Sequence, residues 1–133
     1  MLKVETKLRV RYAETDQMGV VYYANYLVWM EVSRAEYCRV SGTRYRDMEQ
    51  DGIMLAVVEA KCRYHSPALY DEEVRVESWI TLAHPRMLSF AYEMTEVSSG
   101  RRLATGETKH VFCARDHKPL KLPEKYRSVF GIN

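Results

Sequence analysis

From Leu2 to Tyr12 the chain alternates. Leu2, Val4, Thr6, Leu8, Val10 and Tyr12 interleave with Lys3, Glu5, Lys7, Arg9 and Arg11. A period of two sends successive side chains to opposite faces, which predicts a long strand with one dry and one wet face. Glu14-Thr15-Asp16-Gln17-Met18-Gly19 breaks the pattern with turn-forming residues. A helix is then predicted from Asn25 to Ser41, closed by Gly42 as its carboxy-terminal cap. At about 100° per residue, Tyr26, Trp29, Met30, Ser33, Tyr37 and Val40 share one narrow arc. Leu27, Val28, Val32, Ala35 and Cys38 populate the remaining sectors. A helix apolar nearly all round is a buried one. It needs cover, and the rest of the chain supplies only strands.

Thr43 to Gln50 predicts a short second helix ending at Asp51-Gly52. Strands are predicted over Ile53 to Tyr64, Glu73 to Leu82, Met87 to Val97 and Leu103 to Ala114. Ser66-Pro67, His84-Pro85 and Ser98-Ser99-Gly100 punctuate them as turns. Pro123 suits the first turn of a brief terminal helix reaching Phe130. No linker, repeat or low-complexity segment interrupts residues 1–133, which read as a single domain. One strand, one long helix and four successive strands give an α+β chain, with one antiparallel sheet around one central helix.

A chain of 133 residues buries roughly two-thirds of its unfolded surface, enough for a core without staples. Its 20 Lys and Arg against 18 Asp and Glu leave a net charge of +2, too weak a bias for a nucleic-acid reader. Cys38, Cys62 and Cys113 are far apart, odd in number and without CxxC spacing, and read as small buried thiols of a reducing compartment. The opening Met1-Leu2-Lys3-Val4-Glu5 has no room for an apolar signal region. The uncharged run from Gly19 to Met30 falls well short of the roughly 20 residues that span a bilayer. The expectation is a cytoplasmic protein without membrane insertion.

The chemistry concentrates in Tyr12-Ala13-Glu14-Thr15-Asp16-Gln17-Met18-Gly19-Val20-Val21-Tyr22-Tyr23-Ala24-Asn25-Tyr26. An aspartate in a turn just before a helix lies near free backbone N–H groups and the positive helix end. That setting favours an ionised carboxylate, able to attack a carbonyl or to activate water, and the same N–H groups can accept charge developing on an oxygen. Gly19 would let the backbone approach a ligand closely. Asp16 has a plainer reading as a cap or Asx-turn residue, and the turn alone leaves the two open. Glu14, two residues earlier, carries no assigned role, and Glu14→Gln is expected to be near neutral.

This segment resembles the hotdog-fold acyl-CoA thioesterases, in the branch of 4-hydroxybenzoyl-CoA thioesterase and the YbgC-like enzymes. The resemblance extends through Tyr64-His65-Ser66-Pro67-Ala68 with Asp71, then Gly106-Glu107-Thr108, Lys118-Pro119 and Pro123. It implies a five-stranded antiparallel sheet wrapped around a long central helix, and hydrolysis of an acyl-CoA with no cofactor besides the CoA of the substrate. It implies Asp16 as catalytic carboxylate, the backbone N–H of Tyr23 as carbonyl polariser, and Gly19, Val20, Tyr22, Asn25 and Tyr26 as substrate-binding residues. Glu31 falls where the hydroxybenzoyl-type enzyme places an acid facing the acyl group; an ion pair with Arg34, or across a subunit interface, is the other reading. Relatives assemble as dimers and tetramers with the site between subunits, so a homodimer at least, and a homotetramer, is expected. Tyr23 stands where many YbgC-like members carry histidine, which removes any imidazole role there.

Other chemistries find less support. His65, His84, His110 and His117 lack metal-ligand spacing, and no metal is expected. No Gly-x-Ser-x-Gly elbow or Gly-rich phosphate loop is present. CoA phosphates would meet scattered cations such as Arg86, Lys118 or Lys121. A hotdog dehydratase would need a histidine in the central-helix segment. A non-catalytic acyl-binding protein, or a thioesterase acting on acyl-carrier protein, stays as the alternative.

Overall fold

The alternation of Val74, Val76 and Ser78 with Glu73, Arg75 and Glu77 lays down a strand in whose first half the even residues are fully buried. Leu88, Phe90, Tyr92 and Met94 do the same in the strand beside it. The structure, a computed structural model, describes residues 1–132. The elements are β1 (Lys3–Arg9), a 3-10 turn (Tyr12–Glu14), α1 (Asn25–Ser41), α2 (Tyr45–Gln50), β2 (Met54–Tyr64), β3 (Glu73–Ala83), β4 (Met87–Glu96), β5 (Arg102–Cys113), α3 (Glu124–Arg127) and a closing 3-10 turn (Ser128–Phe130). All strand pairings are antiparallel, in the order β1-β3-β4-β5-β2, so β1 and β2 form the edges. The α+β class and the five-stranded antiparallel sheet are as the sequence predicts.

Two expectations need correction. The amino-terminal strand stops at Arg9 rather than running on to Tyr12. Val10 stays buried, but Tyr12 sits in the 3-10 turn and is exposed. Helix α1 is covered on one face, not all round. Tyr26, Trp29, Met30, Ser33, Arg34, Tyr37 and Cys38 are buried. Leu27, Val28 and Val32 are 39%, 49% and 43% exposed, and Val40, though on the buried arc by angle, is exposed in the last turn. Five strands suffice for one face of a 17-residue helix.

The covered face packs tightly. The Tyr37 and Phe90 rings meet edge to face at 5.3 Å between centroids, a favoured geometry for aromatic pairs. At Gly106 in β5 the sheet lies directly against α1: a Cβ there would overlap Met30 Cε and lie 2.7 Å from the Lys61 carbonyl oxygen. Gly42 closes α1 in a left-handed conformation (φ 107°), its N–H donating to the Arg39 and Cys38 carbonyls. No helix of the described residues is long and apolar enough to cross a membrane.

Candidate active site

Asp16 lies in a short hairpin leading into α1. Its N–H donates to the Val20 carbonyl and its own carbonyl accepts the Gly19 N–H, both at 2.9 Å. Asp16 Oδ1 accepts the Met18 N–H at 2.8 Å, an Asx turn. The turn reading and the chemical reading are therefore compatible, because Oδ2 is left without a hydrogen bond among the described residues. Gly19 has φ 79° and no atom within 4 Å of the position a Cβ would take. The left-handed backbone explains this glycine, rather than close approach by a neighbour.

The hairpin is held from two sides. The Val21 N–H donates to the Ala68 carbonyl at 2.9 Å, and the Ala68 N–H donates to the Tyr26 hydroxyl at 3.1 Å. On the other side stands Glu14, 6% exposed. Its carboxylate accepts the Arg11 N–H and the Trp29 indole N–H, each at 2.8 Å. Its carbonyl accepts the Tyr22 N–H at 2.8 Å and the Asn25 amide at 2.9 Å. Burial alone would raise the Glu14 carboxyl, but the hydrogen bonds from Arg11 and Trp29 and the Arg11 charge outweigh it and hold it below the ordinary glutamate value. The reading of Glu14 as a neutral bystander is thus overturned. Nothing in its local sequence announces this, since a carboxylate in a turn-rich stretch reads as solvated.

Asp16 borders a cavity of about 380 Å³, with Met18, Val20, Tyr22, Tyr23 and Tyr26 on the same side. The opposite wall comes from Tyr64, His65, Ser66 and Pro67, at the end of β2. The Tyr23 N–H donates to no acceptor among the described residues. The Tyr64 hydroxyl donates to the Tyr23 carbonyl at 2.9 Å, and the Tyr64 ring meets those of Tyr23 and Tyr26 edge to face. Tyr64 had no assigned role; its motif pointed only to the fold. His65 Nε2 lies 3.0 Å from Thr105 Oγ1.

Of the residues named from sequence, Asp16, Val20, Tyr22, Tyr23 and Tyr26 come together here. Gly19 shapes the turn without lining the cavity, and Asn25 spends its amide on Glu14. Glu31 is exposed, lies in a separate cavity beside Arg34, and forms no ion pair with it. Arg86 and Lys118 are exposed at strand ends outside both cavities, Lys118 facing Asp116 at 4.0 Å. No group of three His, Cys, Asp or Glu among the described residues is placed to hold a metal ion.

Residues 10–130 match the model of the thioesterase-like superfamily. The putative acyl-CoA thioesterase YneP of Bacillus subtilis is 50% identical over 74 residues, 56% of this chain and 54% of that protein, so the match spans about half its length. The acyl-CoA thioester hydrolase YbgC of Escherichia coli O157:H7 is 26% identical over 92% of each chain. Among solved structures, the DHNA-CoA thioesterase of Staphylococcus aureus superposes with a TM-score of 0.88 at 34% identity, covering 91% of this chain and 81% of that one.

Proposed function

The chain belongs to the thioesterase-like superfamily, and from that premise we propose that it hydrolyses the thioester of an acyl-CoA to a free acid and CoA. The observation that carries the reading is the pairing, on one cavity, of the Asp16 carboxylate with the unengaged N–H of Tyr23. Oδ1 holds the turn while Oδ2 is available. Asp16 acts as nucleophile at the carbonyl carbon or as base for the attacking water. In either route the carbonyl oxygen gains negative charge, which the Tyr23 N–H at the start of α1 stabilises. The C–S bond breaks and CoA leaves as thiolate, to be protonated; in the nucleophilic route water then cleaves the acyl–Asp16 anhydride, releasing the acid and restoring the carboxylate. Val20, Tyr22 and Tyr26, with Tyr64, line the path of the substrate. CoA is part of the substrate, and no other cofactor is called for.

The active unit in this reading is one hotdog domain paired with a second copy. The apolar face of α1 left open by the sheet and the free edge of β2 are the surfaces such a pair would cover. A homodimer, pairing again into a tetramer, would complete the wrapping of α1. Arg86 and Lys118 serve the CoA phosphates only if a second protomer brings them to the cavity. Three unpaired cysteines suit a reducing cytoplasm.

The direct test offers purified protein a panel of aliphatic and aromatic acyl-CoAs and follows free thiol. Release well above the uncatalysed rate for some member supports the reading. Tight acyl-CoA binding without release would make the protein a non-catalytic binder and sink it.

A further inference from the structure

Tyr64 is the last residue of β2, and its hydroxyl crosses to the start of α1, donating to the Tyr23 carbonyl at 2.9 Å. A carbonyl can only accept, so the phenol is the donor. Among the described residues no backbone N–H reaches that carbonyl. The peptide that carries the Tyr23 N–H joins Tyr22 to Tyr23, and a peptide plane turns as a unit. Its near side is held: the Tyr22 N–H donates to the Glu14 carbonyl at 2.8 Å, and the Tyr22 carbonyl accepts the Asn25 N–H at 3.0 Å. Its far side ends on Tyr23, whose residue is 60% exposed and gains little from packing. The Tyr64 hydroxyl ties that side down.

The tether has a fixed origin. Tyr64 pairs with Ala104 of β5. Just beyond it the His65 N–H donates to the Leu103 carbonyl at 2.8 Å, and the Ser66 hydroxyl to the Arg102 carbonyl at 2.9 Å. The Tyr64 ring meets the rings of Tyr23 and buried Tyr26 at 6.5 and 5.1 Å between centroids. The sheet wall of the cavity and the helix entry opposite it are therefore joined through one phenol.

We propose that Tyr64 is a positioning residue for hydrolysis: through the Tyr23 carbonyl, its hydroxyl holds the Tyr23 N–H in place for the thioester oxygen beside Asp16. The inference rests on the hydrolase reading and adds to it the residue that aims the polarising N–H. A donor serves a developing oxyanion best when it is fixed before the charge appears, and small displacements are costly. The Asp16 turn does not depend on this bond, since its own hydrogen bonds run to Val20, Gly19 and Met18. Loss of the hydroxyl should loosen the N–H and leave the carboxylate where it is.

Tyr64→Phe removes the hydroxyl and keeps the ring. The substrate is the member of the aliphatic and aromatic acyl-CoA panel that wild type turns over fastest. With it, kcat should fall about tenfold while KM stays within about twofold, the pattern of an interaction realised in the transition state. The urea midpoint should stay near wild type. The second readout is the infrared carbonyl stretch of the same acyl-CoA, isotope-labelled at the thioester carbonyl and bound to Asp16→Asn protein. Binding should lower the stretch from its value in water, and adding Tyr64→Phe should return it part of the way. Unchanged kinetics in Tyr64→Phe would overturn the role while leaving the hydrolase reading intact. So would a kcat loss that comes with a lower urea midpoint and an unmoved carbonyl stretch, since Tyr64 would then be structural. Wild type hydrolysing no member of the panel would remove the hydrolase reading and this role with it.

Discussion

The Trp29 indole N–H donates to Glu14 Oε2 at 2.8 Å, joining the second turn of α1 to the segment that carries Asp16. Because the Glu14 carbonyl also receives the Tyr22 N–H and the Asn25 amide, one buried residue holds both sides of the turn. The catalytic geometry proposed for Asp16 and Tyr23 is therefore anchored by a neighbour that need never touch substrate.

Glu14→Gln should cost about 1–3 kcal/mol of stability, because Arg11 and Trp29 donate to different carboxylate oxygens and the one that becomes an NH2 can no longer accept, leaving a donor unpaired. The Glu14 pKa is depressed on folding, so its contribution is fully present above the ordinary glutamate value and is lost as pH falls through the folded one. Urea unfolding of both proteins from neutral to acid pH measures this. The gap should be widest near neutrality and close at low pH; a gap that grows on acidification would refute the assignment.

His110 gives a second acid-sensitive contribution, of distinct range. Folding lowers its pKa to about 3, whereas the unfolded chain takes the proton near about 6.5. Between those values the unfolded state binds more protons, so stability falls as pH drops, by up to about 1.4 kcal/mol per pH unit. His110→Gln keeps a polar group near Thr108 but does not titrate. It should flatten the pH dependence across that window, and an unchanged slope would show that other groups carry it.

Much of this architecture is readable from the chain because local periodicity and capping chemistry agree with it. The limits of α1, from Asn25 to Ser41 with Gly42 left-handed behind it, follow from short-range rules alone. The even-residue core of β3 and β4 does too. What escapes is long-range. The order β1-β3-β4-β5-β2 depends on which strands meet, and nothing local encodes that β1 pairs with β3. Tyr64 reaches Tyr23 across 41 positions, and Arg34 meets Tyr92 across 58. An arginine on a helix reads as a solvated cation until the sheet closes over it. The turn, the glycine and the helix start that converge within a few residues place Asp16 at the entry to α1 from sequence alone, while the wall from Tyr64 to Pro67 that shares its cavity depends on long-range packing.

The open face of α1 makes an assembly prediction. Leu27, Val28 and Val32 form an apolar stripe, each at least 39% exposed, on a helix whose other face is core. If a second copy covers it, Val28→Lys should shift sedimentation from dimer or tetramer to monomer at working concentration, because an unpaired charge would be buried at the contact. Activity should fall with association if the site needs both protomers. Wild type sedimenting as a stable monomer would end the shared-site model.

Asp16→Asn is the substitution on which the functional reading rests. Asn keeps an oxygen in the place of Oδ1, so the bond to the Met18 N–H can persist, and Asn serves such turns about as well as Asp. The group that changes is Oδ2, which becomes an amide nitrogen without negative charge or nucleophilic character. If Asp16 only organises the hairpin, turnover should hardly move. If its carboxylate attacks the thioester or takes a proton from water, the single-turnover rate should fall at least about a hundredfold, a common loss for a general base. Acyl-CoA binding should survive, since Tyr22, Tyr26 and Tyr64 still line the cavity, and the variant should hold intact substrate. Glu14 cannot serve as the control, being structural. Glu124→Gln is suitable: Glu124 is exposed in the first turn of α3 and does not line the cavity, so its loss should leave the rate near wild type. A fully active Asp16→Asn protein beside an unaffected Glu124→Gln control would remove Asp16 from the mechanism and leave the turn as its only role.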